Sequence, residues 1–123
     1  MDTSDVARLG NEGGGFVYAY GYRCAPDRLK VGSTEVDTVQ RIAAQIWTST
    51  PDKPRLCLEI KTTQCRVVER AIQAILEARG RKIVGGGTEW FRVTRDEIVA
   101  IYEMNFLSYA RAILKTEQPA SQF

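Results

Sequence analysis

The sequence predicts an α+β domain in which a small, mainly antiparallel, three-stranded sheet is flanked by helices, in the order β-β-α-β-α-(β)-α. Two runs of alternating side chains joined by a turn predict a β-hairpin. Three later stretches, with apolar residues three or four positions apart, predict amphipathic helices. Hairpin-linked strands combined with helices favour an α+β sandwich over a parallel, doubly wound sheet.

The hairpin is predicted over residues 15–33. The run GFVYAYGY places its aromatic side chains on one face and its small apolar side chains on the other. A turn with Pro and Asp follows, and RLKVGS forms the second strand. If Leu29 and Val31 join the apolar face, Lys30 falls on the same face as Tyr18 and Tyr20. That face is either an ordinary solvated sheet face or the first sign of a site.

A helix and a third strand follow the hairpin. Thr34 and Asp37 form a candidate capping pair for a helix from about residue 35 to 49, on which Arg41 and Gln45 share one face. The run LCLEIKT then predicts a strand whose three aliphatic side chains alternate towards the core, namely Leu56, Leu58 and Ile60.

The remainder of the domain is predicted to be mainly helical. The run VVERAIQAILEARG predicts a helix that Gly80 ends. A glycine-rich segment with one short extended piece leads to a last helix from about 95 to 114, which a Thr94–Glu97 capping box begins. Residues 1–14 are expected to form a flexible leader and residues 115–123 a disordered tail. A single domain is therefore expected over residues 15–114.

Composition excludes several classes of function. The chain has 123 residues and no histidine, which removes histidine-based hydrolases and any histidine general base. Three scattered cysteines without a CxxC pair argue against a zinc site or a disulfide framework. No apolar run approaches the roughly 20 residues that span a bilayer, and the N-terminus lacks the apolar segment of a signal peptide. We therefore expect a cytoplasmic protein without a membrane partner.

The charge balance gives no clear indication of a nucleic-acid partner. Net charge is only +2, which is below the strongly basic surface expected of a protein that binds nucleic acid in bulk. The run RGRK at residues 79–82 is either solvated or a contact to DNA phosphates.

Five features in order resemble the GIY-YIG nuclease superfamily. They are FVYAY, LKVGST, Arg41, Glu69 and GGGTEWF, between residue 15 and about residue 93. The similarity is to small phage- and virus-associated domains in which KIG replaces YIG and EWF closes the core. No single motif is specific, and the evidence lies in their order and spacing. The resemblance implies a DNA endonuclease that uses Mg²⁺ or Mn²⁺.

The resemblance also implies roles for individual residues. Tyr18 and Lys30 are the candidates for activating water, and which of them is the base stays open. Arg41 is expected to bind the scissile phosphate, and Glu69 is the expected metal ligand. Four further positions are expected to contact substrate: Tyr20, Gly32, Gln45 and Glu89.

Glu69 lies at the border of the apolar face of its helix. It is either an ordinary boundary residue, solvated or paired with Arg66, or a metal ligand held against a core. Mg²⁺ needs as little as one protein carboxylate because it keeps several waters. The guanidinium of Arg41 matches a phosphate in charge and geometry.

Two departures from the family pattern favour weaker catalysis. Gln45 stands where many members carry a histidine, and an amide cannot take up a proton at neutral pH. Lys30 stands where most members carry a second tyrosine. Alternatives to a nuclease are therefore a non-catalytic nucleic-acid-binding module or, given the weak net charge, a protein-interaction domain. No segment is typical of a separate DNA-specificity domain, so specificity is expected from a partner protein, oligomerisation or DNA structure.

Overall fold

The computed structural model describes residues 1–10, 13–46, 52–85 and 90–107. Within these ranges the strands are β1 (Ala7–Leu9), β2 (Gly15–Tyr22), β3 (Ala25–Thr34), β4 (Arg55–Thr62) and β5 (Trp90–Phe91). The α-helices of the same ranges are α1 (Thr38–Gln45), α2 (Cys65–Ala78) and α3 (Arg95–Tyr102), and a π-helical turn over Glu103–Leu107 continues α3. Among these residues, no helix combines the length and the apolar character needed to cross a membrane.

The strands form one sheet in the order β1-β4-β2-β3-β5. Strand β2 is central and pairs antiparallel with both β3 and β4, while β5 pairs antiparallel with β3. The predicted α+β class and its mainly antiparallel sheet are confirmed, and the predicted element order matches from β2 to α3. In the described part of the chain the sheet has five strands instead of three, because the short strands β1 and β5 extend it on both sides.

Strand β1 lies inside the segment predicted as a flexible leader. Its three residues pair in parallel with Leu58–Ile60 of β4, and Asp2 forms a bridge to Arg55. Ala7 and Leu9 also pack against the core. A segment of three residues is too short to show alternation in the sequence. Main-chain hydrogen bonds to the outer edge of β4 hold it in place instead.

The start of α1 differs from the sequence prediction, whereas the end of α2 agrees with it. Asp37, not Thr34, caps α1, because its side chain accepts a hydrogen bond from the Val39 N–H. Thr34 instead ends β3 and accepts from the Val36 N–H. Gly80 follows α2 with φ of +74°, the left-handed conformation that glycine adopts without strain. The predicted helical residues 47–49 and 108–114, and the tail 115–123, lie outside the described residues.

The two faces of the sheet are buried against different helices. Helices α2 and α3 cover the larger core, which includes Val17, Ala19, Leu29, Val31, Leu58, Ile60, Ile72, Leu76, Ile98 and Ile101. Helix α1 covers a smaller core on the opposite face, formed by Tyr18, Tyr20, Ile42 and Leu56. Strand alternation in β2 is therefore confirmed.

Leu56 does not share a face with Leu58 and Ile60, contrary to the prediction from alternation. The pairing of β2 with β4 shifts register, so that Ala19 faces Leu58 while Tyr20 faces Leu56. One extra residue on β4 turns Leu56 towards the tyrosine face.

Tyr18 and Gly32 lie opposite each other on neighbouring strands. The Tyr18 side chain is only 1% exposed, and its phenol lies over the glycine. A Cβ atom at position 32 would lie 2.5 Å from the phenol oxygen and 2.6 Å from the ring carbon that bears it. The glycine of the KVG motif is therefore required by the tyrosine ring next to it.

Replacing Gly32 by alanine tests this packing. We expect Gly32→Ala to lower the free energy of unfolding by about 1–3 kcal/mol, as overpacking does, and to change the near-ultraviolet circular dichroism of the tyrosines. Gly14→Ala is the matched control, since a Cβ there meets no atom within 4 Å. Equal denaturant midpoints for the two variants would contradict the proposed contact.

Two positions of α2 differ in burial, and truncating them should therefore change the stability of the fold by different amounts. Ile72 is 0% exposed, whereas Val67 is 56% exposed. We expect Ile72→Ala to lower the free energy of unfolding by about 2–5 kcal/mol because it leaves a cavity. Val67→Ala should change it by less than about 0.5 kcal/mol. Urea unfolding of both variants measures the difference, and similar losses would show that α2 does not pack as described.

Candidate functional site

A cavity of about 210 Å³ lies beside the part of β3 that β5 does not cover. Strands β2 and β3 contribute to its lining, and helices α1 and α2 contribute the remainder. The lining residues are Tyr18, Gly32, Ser33, Arg41, Gln45, Arg66, Glu69 and Arg70. Five of the sequence-predicted site residues therefore meet here, although Tyr18 and Glu69 are 51 positions apart in the chain.

On the α1 side, Gln45 connects the two candidate bases. Its Oε1 accepts a hydrogen bond from Lys30 Nζ at 3.3 Å and a longer one from the Tyr18 hydroxyl at 3.5 Å. Lys30 is half-buried and does not line the cavity itself. Arg41 lies one turn before Gln45 on the same helix face and is exposed.

On the α2 side, both oxygens of the Glu69 carboxylate accept hydrogen bonds. The Ser33 hydroxyl donates to Oε1. The Gln73 side-chain amide donates to Oε2 at 3.0 Å and to the main-chain carbonyl of Val31 at 2.9 Å. The carboxylate is thus held between its own helix and β3. An ion pair with Arg66, one of the alternatives for Glu69, does not form within 4.0 Å.

The cavity carries more positive than negative charge. Three guanidinium groups, from Arg41, Arg66 and Arg70, line it together with the single carboxylate of Glu69. None of these arginines forms an ion pair within 4.0 Å with a carboxylate in the described part of the chain. Such a surface is suited to an anion from outside the protein.

Several residues that line this cavity or hold its carboxylate are not indicated by the sequence motifs. Arg66, Arg70 and Gln73 follow the spacing i, i+4 and i+7 on α2, with Glu69 at i+3, so a helical projection places all four on one face. That signal is present in the sequence. The Ser33 contact depends on how α2 packs against β3 and has no local signal.

Tyr20, one of the predicted substrate contacts, does not line the cavity. Tyr20 is 3% exposed and lies in the smaller core, where its ring stacks on Tyr18 at 6.1 Å and meets Trp90 edge-on at 5.9 Å. Its side chain therefore supports Tyr18 and does not line the cavity, because it lies on the same face of β2 but two residues further along the strand. Glu89 lies outside the described residues.

The basic run at residues 79–82 has structural partners. Arg79 and Arg81 both donate to Glu97 Oε2 at 3.2 Å, and Lys82 lies 3.9 Å from Glu77. These contacts link the end of α2 to the start of α3. The run is exposed, and its three basic side chains lie close to carboxylates of the chain itself.

A second cavity of about 250 Å³ lies near the start of α3 and contains none of the predicted site residues. Its Arg95 donates to the main-chain carbonyls of Asp5 at 3.0 Å and of Cys57 at 3.4 Å. This arginine ties the N-terminal segment to β4. The smaller cavity around Glu69 is therefore the better candidate site, because its three arginines form no ion pair with a carboxylate of the described residues.

The donor set of the Glu69 cavity fits a hard divalent cation. The described residues contain no group of three or more acidic, cysteine or histidine side chains that would enclose a metal. A carboxylate has about four lone-pair positions, and Glu69 uses only part of them for Ser33 and Gln73. Mg²⁺ is commonly bound through one or two carboxylates, with water and substrate oxygens completing its ligands. Glu69 is thus chemically suited to such an ion.

Comparison with known proteins gives one family. The model of the T5orf172 domain matches residues 15–105, from the start of β2 into the π-helical turn. This phage T5 ORF172 domain is found in proteins associated with GIY-YIG-like and HNH-like endonucleases. No match to the chain is found among curated proteins or among solved structures. Because the matched region covers most of the chain, the protein belongs to the T5orf172 domain family.

Proposed function

We propose that this protein is a DNA endonuclease that hydrolyses phosphodiester bonds with one divalent cation, Mg²⁺ or Mn²⁺, bound by Glu69. The observation that carries the proposal is the meeting of Tyr18, Arg41 and the held Glu69 carboxylate at one positively charged cavity. The occurrence of the T5orf172 domain in endonuclease-associated proteins supports it. So does the sequence resemblance to GIY-YIG nucleases.

Arg41 is assigned to the scissile phosphate. Its side chain is exposed and lines the cavity, and its charge is not used by a carboxylate of the described residues. A guanidinium donates two parallel hydrogen bonds to phosphate oxygens and delocalises its charge over the same plane. Arg41 would thus stabilise the negative charge that grows on the phosphate as water attacks.

Glu69 is assigned to the metal ion. A divalent cation bound there supplies polarisation of the phosphate and stabilisation of the leaving oxygen. The hydrogen bonds from Ser33 and Gln73 fix the carboxylate in one orientation before substrate arrives. A carboxylate held in this way loses less conformational freedom when it acts as a ligand.

Tyr18 is the better candidate for the residue that orients or deprotonates the attacking water. Tyr18 lines the cavity, whereas Lys30 reaches it only through the shared contact with Gln45. Lys30 then acts as a positive charge beside the phenol. Gln45 orients both groups through its carbonyl oxygen and cannot exchange protons itself.

The alternative is a nucleic-acid-binding module without catalysis. One observation favours it: Gln45 Oε1 accepts hydrogen bonds from both Tyr18 and Lys30, which engages the two groups that would activate water. The arginines of the cavity would still bind DNA phosphates. In both cases the partner is DNA, and a partner protein or the shape of the DNA supplies any specificity.

Substitution of Glu69 tests the catalytic proposal. Wild-type protein is incubated with labelled single-stranded, duplex and branched DNA, with Mg²⁺ or Mn²⁺ and with EDTA. We expect metal-dependent cutting, and Glu69→Gln should reduce it roughly 100-fold or more, since the variant loses several kcal/mol of transition-state stabilisation. Glu77→Gln, an exposed position on the same helix, should cut like wild type.

Two results separate the candidates. If wild-type protein binds these DNAs without cutting any of them in the presence of metal, the binding module replaces the nuclease. Cutting by Glu69→Gln at the wild-type rate would show that Glu69 is not the metal ligand. Circular dichroism of each variant shows whether the fold is intact.

Gln73 provides a test of how the carboxylate is held. Gln73→Met keeps the length of the side chain but cannot donate to Glu69 or to Val31. We expect the Mg²⁺ concentration for half-maximal cutting to rise by roughly 10–100-fold, with a smaller change in the rate at saturating Mg²⁺. Gln40→Met, at an exposed position of α1, is the control. An unchanged Mg²⁺ dependence in Gln73→Met would show that this hydrogen bond does not prepare the site.

A further inference from the structure

We infer that Arg66 and Arg70 form a second phosphate-binding subsite on α2, distinct from the phosphate position at Arg41, so that the cavity takes an internal stretch of a DNA strand. This inference rests on the proposed function, because it assumes that a phosphodiester enters the cavity. It adds two residues that neither the sequence motifs nor the family resemblance indicates.

The two arginines have the same placement relative to the cavity. They are four residues apart on α2, which separates their Cα atoms by about 6 Å along the helix axis. Both are exposed and both line the cavity. They lie on α2, beside Glu69, whereas Arg41 approaches from α1.

Their charges are not compensated within the described parts of the chain. Like charges at i and i+4 destabilise a helix. Arg66 also lies in the first turn of α2, where the helix dipole disfavours a cation, and no acidic residue occurs in that turn. Glu69 is close in sequence, yet its oxygens accept hydrogen bonds from Ser33 and Gln73 instead.

An uncompensated arginine pair beside a cavity is best explained by an anion that arrives with the substrate. Phosphate matches the guanidinium in geometry and charge. Successive phosphates of one strand of duplex DNA rise by about 3.4 Å along the axis, so two long side chains one helical turn apart reach neighbouring phosphates. A strand that continues past the scissile bond would then contact Arg41 on α1 at one phosphate and the two arginines of α2 at the following ones.

Contacts of this kind position the strand and carry no sequence information. They make binding depend on salt, because each neutralised phosphate releases counterions. The subsite therefore predicts a measurable change in the salt dependence of binding, separate from any effect on cutting.

The test is a salt series of duplex DNA binding, measured by fluorescence anisotropy in EDTA so that no cutting occurs. We expect the slope of log K against log salt to become less steep by about 0.9 for each arginine removed, in Arg66→Gln, in Arg70→Gln and additively in the double variant. The double variant Arg66→Lys/Arg70→Lys keeps both charges and should keep the wild-type slope.

Arg92→Gln is the matched control, since Arg92 is exposed and lies outside the cavity. It removes the same charge and should leave the slope unchanged. Glutamine is a good helix former, and circular dichroism verifies the helix in each variant. The lysine variant provides a second measurement on a helix whose charge is unaltered.

The outcomes separate the subsite from the nuclease proposal. A wild-type slope in the double glutamine variant, or an equal decrease in Arg92→Gln, overturns the subsite even if the wild-type protein cuts DNA. The expected decrease together with no cutting in Mg²⁺ supports the subsite and overturns only the nuclease proposal. Absence of DNA binding by the wild-type protein overturns both.

Discussion

The hydrogen bonds that hold Glu69 between α2 and β3 are the interaction on which the candidate site depends. Helix α2 packs on the sheet through an apolar stripe that includes Ile72 and Leu76. At the border of that stripe, Gln73 donates both to Glu69 and to the Val31 carbonyl, and Ser33 donates to the other carboxylate oxygen. An acidic side chain at the rim of a core lowers the stability of the fold unless it is hydrogen-bonded. The hydrogen bonds that compensate the burial of the Glu69 carboxylate also orient it towards the cavity.

The pleat of the sheet explains why the site lies at an edge and not on a face. Because side chains alternate along a strand, Tyr18 and Lys30 lie on the α1 side of the sheet and Ser33 lies on the α2 side. Side chains from both faces meet where β3 has no neighbouring strand among the described residues, since β5 pairs with Leu29 and Lys30. Gly32 lies at this point, where the absence of a side chain leaves room for the phenol.

Much of this arrangement is predictable from sequence because it is local. Alternation in the hairpin predicts which strand residues share a face, and Gly80 marks the end of α2. The remainder depends on contacts between distant segments. Strand β1 is too short to show a pattern, Leu56 changes face through a register shift with β2, and Ser33 becomes a partner of Glu69 only when α2 packs on β3. Arg66 and Arg70 share the helix face of Glu69, but nothing local shows that this face borders a cavity.

The proposed nuclease requires that the carboxylate of Glu69 binds a divalent ion in this cavity. Line broadening of backbone amide signals by Mn²⁺, measured by nuclear magnetic resonance on nitrogen-labelled protein, tests it most directly because it needs neither DNA nor catalysis. We expect selective broadening at Gly32, Ser33 and Glu69 in the wild-type protein, and loss of that broadening in Glu69→Gln. Broadening that is the same in both proteins, or that occurs only around Asp2 and Asp5, would contradict it.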